Sequence, residues 1–425
     1  MLALSAPGEC APVVHRLANG LRVVLVEDHK APLVAVQVWY QVGSKDERPG
    51  LTGASHLLEH MMFQGARRYG PGEFDRQLVR RGGQNNAFTT TDFTAYHEVL
   101  ASEHLGLALD LEADRMTGAL LPADKLESER EVVKEELRGS SDNSPLGAAW
   151  DLLPSLTWLA KSYHWPVGGW TSDLDTVSRA DLLGHYRSHY HPANAVLVLV
   201  GDFKQAEALR SVSAAFGRLP AGPKPPRVRT REPLMRGERQ ADLLRDVATP
   251  VVLAGYRLPA AGSADLPAFQ VLARILSHGR SSRLHSEVVE ARRLAREVDA
   301  GLDEGTEGSL FYVATLPRPG VTPEAARQGC DAVLEGLRRR GPSAAEVARA
   351  VKVIEAERLI ERETAQGVAE AIGRRVSLHG NADLQAEVSQ LRRVTAARVR
   401  EVARKHLARA NRAVITVRPA RREDN

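Results

Sequence analysis

The sequence predicts an α+β chain of two homologous domains, each a mixed, mostly antiparallel sheet packed with helices. Three observations carry this. The chain has 425 residues, too many for one ordinary core and enough for two. Short β-branched runs alternate with long stretches of helical periodicity. Finally, Tyr186–Asn194 (YRSHYHPAN) and Ala403–Asn411 (ARKHLARAN) align without gaps at an offset of 217, share Arg, His, Ala and Asn, and each lead into a β-branched strand. Because the order of strands and helices recurs as well, an internal duplication is the economical reading.

Taken in order, Asn19-Gly20 is a hairpin turn signal, and Leu21–Val26 and Leu33–Val42 read as strands. Leu51–Met62 is helical. Gly82-Gly83-Gln84-Asn85-Asn86 predicts a turn ahead of two strands, Ala87–Thr90 and Phe93–Leu100, whose Thr and aromatic content suits a pleated surface. Helices are expected from Ser102 to Met116, from Leu121 to about Arg138 and around Gly147–Leu159. After the turn-rich Tyr163–Trp170 come a helix at Thr176–Tyr190, a strand at Ala195–Val200 and a helix at Gln205–Phe216. The Pro- and Arg-rich stretch 218–240 reads as a linker between domains at 1–217 and 241–425.

Composition excludes several classes. With 43% hydrophobic and 26% charged residues, disorder is a poor reading, and no stretch approaches the roughly 18 apolar residues of a membrane helix. A balance of 57 basic against 53 acidic residues is a mixed surface rather than a nucleic-acid footprint. Cys10 and Cys330 lack metal-site spacing and are expected to be two unpaired thiols. MLALSAPGEC has neither a basic start nor a long apolar run, so the expected compartment is cytoplasmic, or periplasmic if a signal was trimmed.

The chemistry concentrates in His56-Leu57-Leu58-Glu59-His60. Residues four apart share a helix face, so His56 and His60 can offer two imidazoles to one cation, with Glu59 beside the open position as a base. A third ligand must come from elsewhere, and ESEREVVKEELR is the place to look. Glu129 and Glu136 are seven residues apart and so share a face, with Val132 and Val133 between them as core contacts. An ordinary charged helix accounts for Glu127, Glu131 and Arg138 but less well for that carboxylate pair. In the second copy Gln270, Ala273 and Arg274 stand where His56, Glu59 and His60 would be, so only the first copy can bind the metal.

GASHLLEHMMFQG, GGQNNAFTTTDFTAYHE and the ERE-VV-KEE run, with SYHWPVGGW and YHPANAVLVLVGDF, resemble the pitrilysin/insulinase family of inverted-motif zinc peptidases, close to the mitochondrial processing peptidase and its bacterial relatives. The resemblance covers nearly the whole chain. It implies two α/β-roll domains forming half of a clamshell, and Zn2+ held by His56, His60 and Glu136. It further implies Glu59 as general base, Glu129 as a second acidic residue close to the zinc, and Asn86-Ala87-Phe88-Thr89 as an edge strand that pairs with an extended peptide substrate.

One part of the family pattern is missing. Members that act alone usually carry an Arg and a Tyr seven residues apart in the second repeat, and here those positions fall on Val289 and Arg296. The resemblance then implies a heterodimer with a homologous chain that supplies the pair, a homodimer being the less favoured arrangement, and a chamber for unfolded peptides. The rival reading is a non-catalytic scaffold subunit of the same fold, against which the intact HLLEH and Glu136 argue.

Overall fold

The computed structural model describes residues 11–141, 144–225 and 229–420; Cys10 and the leader reading of MLALSAPGEC lie outside them. The first half of the chain runs β1 (Val13–Arg16), β2 (Arg22–Glu27), β3 (Leu33–Tyr40), α1 (Ala54–Met61), α2 (Glu73–Val79), β4 (Gln84–Thr89), β5 (Thr94–Ala101), α3 (Leu105–Gly118), α4 (Ala123–Ser141), α5 (Pro145–Thr157), α6 (Thr171–Leu174), α7 (Arg179–His189), β6 (Ala195–Gly201) and α8 (Gln205–Phe216). The second half runs β7 (Arg239–Arg245), β8 (Val251–Leu258), α9 (Leu266–Ser277), a π-helical segment His285–Ala291, β9 (Ala295–Asp303), β10 (Ser309–Pro317), α10 (Pro323–Arg340), α11 (Ala344–Glu361), α12 (Ala365–His379), α13 (Leu384–Arg392), α14 (Ala396–His406) and β11 (Arg412–Pro419).

The strands form two mixed sheets with one topology. The first has the order β1-β2-β6-β3-β5-β4 and the second β7-β11-β8-β10-β9. In each, one pair is parallel and the others are antiparallel; the first sheet has one antiparallel pair more, β1 with β2. The parallel pairs share a register, Arg22 facing Val196 in one and Arg239 facing Ala413 in the other. Helix α7 starts with the Ser178 side chain accepting from Asp181 N, and α14 with Thr395 accepting from Arg398 N. Asn194 and Asn411 each donate to the carbonyl of the preceding helix's last residue, His189 or His406, at 3.0 and 2.8 Å. The duplication therefore extends to caps and side-chain hydrogen bonds.

The described residues form two compact units, each drawn from separate stretches of the sequence. Among the described residues, one comprises 11–133, 167–225 and 359–384; the other comprises 134–141, 144–166, 229–358 and 385–420. Each unit thus takes one sheet-covering helix from the opposite half of the sequence. In the first, α12 lies on β3 and β6; its Gly373 faces Trp39 so closely that a Cβ would stand 2.0 Å from the indole. In the second, α5 lies on β8 and β11, with Ala149 and Leu153 buried against Leu253, Ala413 and Ile415. Sheets covered on both faces explain why β6 and β8 are buried at every residue and show no alternation.

Two local expectations change. Gln84–Asn86 is not a turn but the start of β4, because Gln84, Asn85 and Asn86 pair with Val99, Glu98 and His97; cross-strand pairing overrides weak intrinsic β-propensity. The stretch 229–238 is extended but held: Glu232 accepts from the backbone N–H groups of Leu159, Ala160 and Lys161 and from Arg257. Cys330 is a free, buried thiol. Among the described residues no helix is long and apolar enough to cross a membrane.

Candidate active site

Helix α1 is set by what precedes it. Gly53 takes φ +84°, a left-handed conformation glycine adopts without strain, and it packs on the Gly168 carbonyl, where a Cβ would come within 2.4 Å. The Glu47 carboxylate accepts from Gly53 N (2.8 Å) and Ser55 N (2.7 Å), satisfying N–H groups that a helix start leaves unpaired. Burial pushes the Glu47 carboxyl up to about 8, against the opposing pull of those two N–H groups. Behind it, Ser55 Oγ bonds the Gly43 carbonyl and lies 3.1 Å from His185 Nε2.

One turn of α1 then presents His56 and His60, their rings 5.0 Å apart and perpendicular. Burial, with a smaller effect of His60, brings His56 down to about 4, so its imidazole is neutral at ordinary pH with a lone pair to donate. His60 Nδ1 lies 3.3 Å from Glu129 Oε2, and Glu129 Oε1 accepts from Gln64 Nε2 at 2.9 Å. A carboxylate on one ring nitrogen fixes the ring and leaves the other nitrogen as donor to a cation. Helix α4 continues unbroken from Glu129 to Glu136. Ligand atoms of His56, His60 and Glu136 all lie within 4.8 Å of one another.

Two imidazoles and one carboxylate are the donor set of a catalytic zinc site, which keeps a fourth position open. The residues present fit Zn2+, and no second group of three such donors occurs among the described residues. Glu129 stands outside the trio, as the partner of His60. Glu59 is 7% exposed, and its Oε2 accepts from Thr89 Oγ1 at 2.5 Å.

Thr89 is the last residue of β4, the terminal strand of its sheet. Along this strand alternate residues face opposite ways. Thr89 meets α1, whereas Phe88 stacks edge-on against Trp39 (5.5 Å) and Phe93 (6.3 Å) on the opposite face. Asn86 Oδ1 accepts from Ala87 N. Of the four residues expected in the edge strand, Phe88 thus directs its side chain into the core.

Val132 departs from expectation. Val133 is fully buried, but Val132 is 45% exposed. At about 100° per residue the two fall on opposite sides of the Glu129–Glu136 stripe, which runs along the border between the packed and open faces of α4. The positions expected for Arg and Tyr are occupied as the sequence has it: Val289 is buried in the core of the second unit, and Arg296 is exposed on β9.

Glu47, Gln64 and the Thr89 hydroxyl join the site without having been expected from the sequence. An acid shortly before a helix start was the available signal for Glu47. Gln64, four residues beyond His60, could have been placed on the same face, but not its bond to Glu129.

Residues 22–166 match the family described as Insulinase (Peptidase family M16), and residues 176–354 match the one described as Peptidase M16 inactive domain. Zinc protease PqqE of Helicobacter pylori is 33% identical over 330 residues, 76% of this chain and 74% of its own. The β subunit of the mitochondrial-processing peptidase of Blastocladiella emersonii is 25% identical over 418 residues, 96% of this chain and 88% of its own. A solved structure of a protease from Helicobacter pylori superposes with a TM-score of 0.92 at 28% identity, covering 97% of this chain and 100% of that one.

Proposed function

The chain belongs to the insulinase (M16) family, whose members similar to it are named zinc proteases, and from that premise we propose that it is the metal-bearing subunit of a zinc-dependent endopeptidase. The observation that carries this is the convergence of His56, His60 and Glu136 beside a buried Glu59. His56, His60 and Glu136 would hold Zn2+, which would supply Lewis acidity at the scissile carbonyl. Glu59 takes the proton of the attacking water and returns it to the leaving amine. Glu129, braced by Gln64, orients His60. Strand β4, paired on one side only, takes the peptide as an added strand, so that main-chain hydrogen bonds provide affinity with little side-chain selectivity.

The substrate is an extended, unfolded peptide held in a chamber completed by a homologous partner chain. Supporting this, Val289 and Arg296 stand at the positions of the Arg/Tyr pair, and the relative from Blastocladiella is itself named as a subunit. The partner would bring the pair and with it stabilisation of the developing oxyanion.

Glu59→Gln tests the assignment. Cleavage of a quenched-fluorescence peptide should fall by roughly 10²- to 10⁴-fold while metal analysis still finds one zinc per chain. Undiminished turnover refutes the role of Glu59, and a wild-type chain that retains no zinc refutes the site.

A further inference from the structure

Strand β4 has a second job, carried by its last side chain. Resting on the peptidase reading, we propose that Thr89 is the positioning residue of the base Glu59, so that the strand offered to substrate also sets the base.

A glutamate side chain has three rotatable bonds, and holding its carboxylate in one place costs entropy unless a partner fixes it. Thr89 Oγ1 stands 2.5 Å from Glu59 Oε2 and 3.3 Å from Thr94 Oγ1, its cross-strand neighbour. Thr94 Oγ1 lies 3.0 Å from the Val42 carbonyl, which can only accept, so the Thr94 proton is used there. The single Thr89 proton goes to the nearer, charged acceptor, the stronger kind of bond. The hydroxyl therefore addresses Glu59, while the backbone of the same residue belongs to the sheet's outermost strand.

The placement is fixed from both ends. Val42 opens a loop whose Ser44 N and Lys45 N donate to the Thr90 and Thr91 carbonyls of the β4–β5 turn, at 3.2 and 3.0 Å. The same loop ends in Glu47, which caps the helix carrying Glu59. The hairpin that presents Thr89 and the helix that presents Glu59 are thus joined through six consecutive residues, Val42–Glu47. A peptide added to β4 would order the strand and, through Thr89, the base.

Thr89→Val removes the hydroxyl at nearly constant shape, and Thr89→Ser keeps it. Both are to be prepared as zinc-loaded full-length chains, and two readouts taken. In crystal structures the Glu59 carboxylate should leave its present position in Thr89→Val and keep it in Thr89→Ser. In peptide cleavage Thr89→Val should lower kcat by roughly 10- to 100-fold with KM changed less than about two-fold, and Thr89→Ser should recover most of the loss. A Glu59 carboxylate unmoved in Thr89→Val overturns the proposal whether or not any peptide is cleaved. So does a defect lying wholly in KM, or one that Thr89→Ser does not relieve. A wild-type chain that binds zinc and cleaves nothing even with its homologous partner chain present overturns the peptidase reading instead, and the Glu59 position then decides this one alone.

Discussion

The two sheets are built alike, and the helices that follow their first long strands are not. In the first copy α1 carries His56, Glu59 and His60, with Glu129 and Glu136 coming from α4. In the second, α9 carries Gln270, Ala273 and Arg274. There Gln270 donates to Glu304 at 2.6 Å, and Arg274 pairs with Glu357 of α11 at 2.9 Å. A guanidinium bound to a carboxylate on the long helix thus stands where the first copy gathers donors for a cation. The second copy reaches the same strand order and register without any such group. The fold does not need the metal, so the donor trio of the first copy has to be explained by chemistry.

Metal removal is expected to separate the two copies most strongly. A chelator, or His60→Ala, should reduce peptide cleavage to background while far-UV and near-UV circular dichroism stay native. The stability cost of His60→Ala should be about 1 kcal/mol, the size of one lost hydrogen bond to Glu129, beyond the stabilisation that bound zinc confers by mass action. A chain that unfolds on chelation would show the first copy to depend on a metal where the second does not, and the structural equivalence of the two would fail.

A subtler difference lies in how the first copy ties its edge hairpin to its helix. Gly43 has an extended backbone, yet a Cβ there would lie 2.3 Å from the Thr90 carbonyl oxygen, a backbone atom that cannot swing aside. Gly43→Ala should therefore push the β4–β5 turn away from the loop that caps α1. The expected cost is about 1–3 kcal/mol of stability and, from a displacement on the order of 1 Å between strand and base, about 100-fold in kcat, with zinc content unchanged. Full activity in Gly43→Ala would mean that the loop does not set the distance between the hairpin and the helix.

Much of this was legible in the sequence because it is local or periodic. His56 and His60 are four apart, Glu129 and Glu136 seven, and the nonapeptides at Tyr186 and Ala403 expose the duplication that the two sheets now display. What was not legible depends on distant partners. Nothing near Ala365–His379 says that this helix covers the first sheet, or near Pro145–Thr157 that it covers the second. Helical periodicity gives the angle between Val132, Val133 and the glutamates but not which side of the stripe faces the core, so Val132 was misplaced. Gln84–Asn86 reads as a turn from its composition, which its pairing with β5 outweighs. Hydrogen bonds between Gln64 and Glu129, or Thr89 and Glu59, join residues 65 and 30 positions apart, and no local pattern encodes them.

The smallest expected effect tests the other side of the comparison. If the Arg274–Glu357 pair merely fills the place where the first copy collects its donors, it should matter little. Both side chains are about one-third exposed, 36% and 29%, and pairs of that kind contribute roughly 0.5–1 kcal/mol because solvent screens them and ordering two long side chains costs entropy. Glu357 also has His278 within 3.5 Å, so losing the arginine leaves it a partner. Arg274→Ala should accordingly lower the denaturation midpoint only slightly, leave zinc content and cleavage unchanged, and show a coupling to Glu357→Ala below about 1 kcal/mol in a double-mutant cycle. A coupling of several kcal/mol would make the ion pair a structural replacement for the missing cation site. The donor trio of the first copy would then carry a structural duty beside its chemical one.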